Sequence, residues 1–94
     1  MNEILFAVES REGKKCAYYV PVNLSEINKD VISTVTVSKT LECMSLCMQL
    51  PSCFAIHVPE IQTSELFFCQ LLPQFDVHSD IQASSVWNTY YLLN

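Results

Sequence analysis

The chain reads as an α+β domain, an antiparallel sheet of five or six strands cradling one α-helix and stapled by disulfides. Three observations predict it. Only one stretch, Ser38 to Cys53, carries apolar residues at helical spacing. The rest breaks into short runs rich in β-branched and aromatic residues, separated by polar or proline-containing joints. Four of the five cysteines, Cys43, Cys47, Cys53 and Cys69, lie in or just beyond the helical stretch. One helix among several hairpin-linked strands specifies α+β. Ninety-four residues make a single domain, residues 1–94.

Glu3 to Val8 is apolar-rich and opens as a strand, followed by the polar stretch Glu9 to Lys15. That stretch holds the only glycine, Gly13, and reads as a hairpin turn. Cys16 to Val22 is the return strand, with Pro21 confining it to an edge or ending it early. Asn23 to Asp30 is polar and loop-like, and Val31 to Val37 is extended by its β-branched density. The helix then starts at Ser38, whose hydroxyl is placed to cap the first turn. It runs to about Leu50, because Pro51 cannot continue it and turns the preceding residue from helical torsions. Cys43, Leu46, Cys47 and Leu50 share one face, flanked by a row of Leu41, Met44 and Met48. Three strand-like runs follow: Phe54 to Val58, Leu66 to Leu72 and Val86 to Leu92. Between the last two, Gln74 to Ser85 reads as a long polar loop.

Composition excludes several functions. Half the residues are hydrophobic and 16% are charged, so the chain is folded and not a disordered tail. A net charge of -5 opposes a nucleic-acid partner, which needs a basic face, and an anionic membrane surface. No apolar run approaches the roughly 20 residues of a membrane span. Met1 to Ser10 lacks the basic start of a signal peptide. Five cysteines in so short a chain point to an oxidising compartment. The expectation is therefore a secreted protein or ectodomain, its signal removed or lying upstream.

The helix presents Cys43 and Cys47 one turn apart with parallel side-chain vectors, poor geometry for a mutual bond. Each then reaches outward. Cys53, just past the Pro51 turn, folds back to Cys47, which leaves Cys69 on the next strand for Cys43. Loop closure makes the outer bridge worth about 3.5 kcal/mol and the inner about 2.4, figures that do not simply add because the loops nest.

This pattern resembles the PAN/apple domains, whose core is a helix carrying Cys-x3-Cys, a cysteine just after it, and a fourth in a following strand. The matching residues here are Leu41 to Cys47, Cys53 to His57, and Phe68 to Leu71, and the best-matched core covers residues 35–72. Apple domains proper join their terminal strands by a further disulfide. Cys16 stands where its first member would be, but the C-terminal strand has Trp87, Tyr90 and Tyr91 and no cysteine. The resemblance is to the four-cysteine PAN form. It implies the same nested pairing, no catalysis, no cofactor, and protein–protein or protein–carbohydrate recognition as the function.

Two other readings compete with this one. In the first, Cys43, Cys47, Cys53 and His57 hold zinc, the last three spaced like the tail of a CCCH finger. Against it stand the short gap from Cys43 to Cys47, the acidic charge and the idle Cys69; His57 is then an ordinary strand residue facing away from Phe54, Ile56 and Val58. In the second, the domain is a purely structural module of a larger extracellular protein.

No Ser/His/Asp signature, paired-carboxylate motif or glycine-rich phosphate loop stands out, and bonded cysteines leave no thiol nucleophile. Asp76, His78 and Asp80 have cation-binding types in what reads as a solvated loop. Trp87, Tyr90 and Tyr91 suit either a sugar platform or the core. Arg11, Lys14 and Lys15 form the one basic cluster, a candidate anionic-ligand contact whose default is a solvated turn. Asn23-Leu-Ser25 is the one N-glycosylation sequon. Cys16 is left unpaired, either buried or bonded to a second copy or a neighbouring domain.

Overall fold

The computed structural model describes residues 4–10 and 13–93, with side-chain surroundings from residue 18 onward. Eight strands and one helix follow in the order β1 Ile4–Ser10, β2 Gly13–Val22, β3 Ser25–Ile27, β4 Ser33–Val37, α1 Thr40–Gln49, β5 Ala55–Pro59, β6 Phe67–Leu72, β7 Ile81–Ala83 and β8 Trp87–Leu93. Six of them form one sheet in the order β1-β2-β8-β5-β6-β4, and β3 and β7 form a separate two-stranded sheet. Every pairing is antiparallel. The α+β class and the six-stranded sheet with a single helix are as the sequence predicts.

Two stretches read as loops differ. Asn23 to Asp30 contains β3, and Gln74 to Ser85 contains β7, with Ser25 opposite Ala83 and Ile27 opposite Ile81. Three residues are too few to show a period of two in sequence. What makes them strands is the surface beneath them, because Ile27 and Ile81 pack with Ala55, Leu72, Phe75 and Tyr91.

The sheet is therefore covered on both faces. On the front, α1 buries Cys43, Met44 and Cys47 against Tyr19, Val37, Ile56, Val58, Phe67, Cys69 and Leu71. On the back, the small sheet covers part of β5, β6 and β8. β5 runs down the middle and is buried at Ala55, Ile56, His57 and Val58 in succession, as a strand packed on both faces must be. β8 divides its aromatics by the same alternation, Tyr90 packing on the helix side and Tyr91 on the back.

The helix is shorter than expected and capped differently. It spans Thr40–Gln49, and Lys39 occupies the N-cap without a side-chain bond to the first turn. Ser38 does not cap it. Instead Glu42, in the first turn, accepts the Ser38 backbone N–H at 2.9 Å and the Ser38 hydroxyl at 3.2 Å. A carboxylate there also meets the positive end of the helix dipole. Leu50 is extended, as the residue before Pro51 should be. The buried row also shifts by one position: Met44 is fully enclosed, while Leu41 is 49% exposed. A strand from β2 explains it, since the Tyr19 hydroxyl reaches across to donate to the Met44 carbonyl at 3.0 Å.

The sequence predicts that Pro21 confines its strand to an edge or ends it early, but β2 lies between β1 and β8 and runs on past Pro21 to Val22, with Pro21 opposite Tyr90. In the β1–β2 hairpin Ser10 stands opposite Gly13 and Ala7 opposite Cys16.

Candidate functional site

The small sheet covers only one part of the back face. Beyond it lies an open cleft of about 380 Å³ at the end of the sheet where β5 and β8 meet the segment joining β5 to β6. The strands supply Thr36 from β4, Pro59 from β5, Phe67 and Phe68 from β6 and Trp87 from β8, and the connection adds Ile61 and Leu66 with Gln62, Thr63 and Ser64. β-strand alternation decides this. Phe67, Cys69 and Leu71 turn to the helix, so Phe68, between two of them, must turn to the back. Phe68 is 64% exposed, Leu66 59% and Ile61 75%. A concentration of large apolar side chains left in water marks an interaction surface more often than a solvated one. Among the described residues no charged side chain lines the cleft.

His57 stands where the covered and open parts of the back face meet. It is buried, with the backbone N–H of Ile27 donating to its Nε2 at 2.8 Å. Accepting at Nε2 places the ring proton on Nδ1, which lies 3.0 Å from Gln70 Oε1 and donates to it. The same ring stacks on Trp87 at 5.6 Å between centroids. Burial lowers the His57 pKa from its ordinary 6.5, partly offset by the bond to Gln70 and the charge of Glu26. His57 does lie on the face away from Ile56 and Val58, but it is not an ordinary strand residue. It is the polar junction of β3, β5, β6 and β8. Strand alternation reveals the face, whereas nothing local in sequence reveals that β3 brings an N–H to it.

A second set of bonds fastens the small sheet. Thr89, fully buried, donates through Oγ1 to the Ser25 carbonyl at 2.9 Å. The Ser25 hydroxyl donates to the Val22 carbonyl at 2.7 Å. Asn88 Oδ1 accepts the Leu24 N–H at 2.7 Å, holding Leu24 at a φ of 52°. This left-handed turn swings the chain from β2 to β3. The sequon therefore folds with Asn23 exposed and Ser25 buried.

The cysteines pair as the helix geometry predicts: Cys43 with Cys69 and Cys47 with Cys53, the Cα atoms 6.4 and 5.2 Å apart. Both bridges lie on the helix side of the sheet. The four residues of the zinc reading do not converge, since three are in disulfides and His57 faces the other way with both nitrogens engaged. Among the described residues no group of three or more His, Cys, Asp and Glu side chains is placed to hold a metal ion. In the 76–80 turn, Asp76 Oδ1 accepts the His78 N–H and Asp80 Oδ2 accepts the Asp76 N–H. Asp80 also faces Lys29 at 3.8 Å. These carboxylates close a turn.

Arg11 lies outside the described residues, as do the side chains of Lys14, Lys15 and Cys16. No helix among the described residues is long and apolar enough to cross a membrane. The chain matches no family model, no curated protein and no solved structure.

Proposed function

We propose that this domain is an extracellular binding module of the four-cysteine PAN type, engaging a protein ligand through the cleft on the back of its sheet and catalysing nothing. The observation that carries this reading is the cleft itself, where Phe68, Leu66 and Ile61 stand exposed around Trp87. The frame suits the role. Two disulfides and the helix hold the front of the sheet, so the back can display apolar side chains without loosening the core. An apolar floor with Thr and Gln at its rim favours a polypeptide over a glycan, whose hydroxyls need more convergent polar partners.

The test is a screen of the oxidised domain against ectodomain and glycan arrays, alongside Phe68→Ser. Phe68 is mostly exposed, so the variant should fold and melt as the parent does. Ectodomain hits that fall with Phe68→Ser support the cleft. Hits that survive both Phe68→Ser and Leu66→Ser overturn it, and glycan hits alone would replace the protein ligand with a sugar.

A further inference from the structure

We propose that the ligand of this cleft is an extended polypeptide segment that adds as a strand to the free edge of β4 and lays one large apolar side chain over Thr36 onto Phe68. The inference rests on the cleft reading above and names the partner's form. Strand β4 ends the six-stranded sheet: it pairs with β6 on one side, and among the described residues no strand pairs with it on the other. Every second residue of an edge strand turns its backbone N–H and C=O outward, a ready template for another chain.

Natural edges are usually protected by charge, proline or a bulge. The segment Ser33-Thr-Val-Thr-Val37 contains no charged residue and no proline, and Val31 and Ile32 before it are exposed. An unprotected edge beside an apolar cleft is a docking arrangement of the strand-addition type, in which backbone bonds supply affinity and side-chain pockets supply selectivity.

The register connects the two features. Thr36 stands opposite Phe68, and both line the cleft. A strand added outside β4 therefore places one of its residues beside Thr36 on the same face, about 5 Å further from β6. Thr36 is small. A Leu, Phe or Trp at that place reaches over it to Phe68, whereas a short side chain does not. Charge sets the flank. The chain carries ten acidic against five basic residues, and Glu42 bonds Ser38 just past the end of β4. This acidic balance favours a segment with Lys or Arg next to its apolar anchor.

The experiment uses the oxidised full chain and a panel of nine-residue peptides of alternating Thr and Val, each with a central Leu, Phe or Ala and a Lys or Glu flank. Amide hydrogen exchange and backbone NMR shifts read β4, and the fluorescence of Trp87, the only tryptophan, reads the cleft. The Leu and Phe peptides with Lys flanks should bind, slow exchange in 33–37 and change Trp87 emission. The Ala and Glu versions should bind more weakly. N-methylating alternate peptide amides in two complementary sets separates the bonded edge of the peptide from its free edge. One set should weaken binding at least about tenfold, the equivalent of one or two lost backbone bonds, and the other should not.

Binding that moves Trp87 while both methylated sets bind normally would overturn strand addition and leave the cleft reading intact. No binding by any peptide at millimolar concentration would overturn the inference. So would 33–37 amides already protected without peptide and exposed on dilution, because a second copy would then occupy the edge.

Discussion

The imidazole of His57 accepts the backbone N–H of Ile27 at 2.8 Å, joining the central strand of the main sheet to the small sheet that covers its back. A ring nitrogen substitutes here for a ladder bond between strands of different sheets. Its other nitrogen is bonded to Gln70 and one ring face is stacked on Trp87. The part of the back face that is sealed and the part that stays open therefore share one side chain.

His57→Ala should destabilise the domain by about 1–3 kcal/mol, the cost of leaving a buried N–H without a partner. Strand alternation alone predicts little change, so this substitution discriminates between the two descriptions. Chemical denaturation of both proteins measures it, and a difference below half a kilocalorie would show that water replaces the imidazole.

The same bond makes stability depend on pH. Burial lowers the His57 pKa below 6.5, so between the two values the unfolded chain binds a proton that the folded chain does not. Stability from this group is therefore fully present above about pH 6.5 and declines as pH falls toward the folded pKa. Protonation removes the acceptor for Ile27 N–H. Denaturation midpoints measured from pH 8 to 5 should fall for the parent and fall less for His57→Phe. Parallel curves would assign the slope to other groups.

Tyr19→Phe should cost about 1 kcal/mol, because the phenol donates to the Met44 carbonyl from a fully buried position and the ring itself is kept. Burial holds its pKa above the ordinary 10.0, so this hydroxyl stays a donor throughout the physiological range. Thermal melting of the variant measures the loss. A melting point unchanged within error would mean that the bond contributes nothing net.

Peptide mapping without reduction should recover Cys43 linked to Cys69 and Cys47 linked to Cys53. Reduction should lower stability by several kcal/mol, as loss of native bridges does in small domains. Protein purified without chelator should carry no stoichiometric zinc. A Cys43–Cys53 peptide, or one zinc per chain with free thiols, would refute the nested pairing.

Cys16 stands opposite Ala7 in the first hairpin, outside both bridges. Non-reducing electrophoresis beside Cys16→Ser should show monomer in both lanes, with alkylation of Cys16 slow until the chain unfolds. A dimer present only in the parent would assign this thiol to a covalent link between copies.

Much of this architecture was determined by the sequence alone. Pro51 stops the helix, the β-branched and aromatic runs make the strands, and cysteines four apart on one helix face must reach outward in a nested pattern. These are consequences of short-range geometry, in which a few neighbouring residues carry the whole signal. Tertiary structure decided the rest. Ser25–Ile27 and Ile81–Ala83 are strands only because each lies against the other over the back of the sheet. Glu42 rather than Ser38 closes the helix start, a choice between two short hydrogen bonds that spacing does not rank. The cleft joins Thr36, Phe68 and Trp87, which are far apart in the chain and adjacent only through the strand order β8-β5-β6-β4. His57 acquires its role in the same way, from an N–H thirty residues earlier. Strand order and sheet-over-sheet packing depend on contacts distant in sequence, and no local pattern of residues encodes which strand will lie beside which.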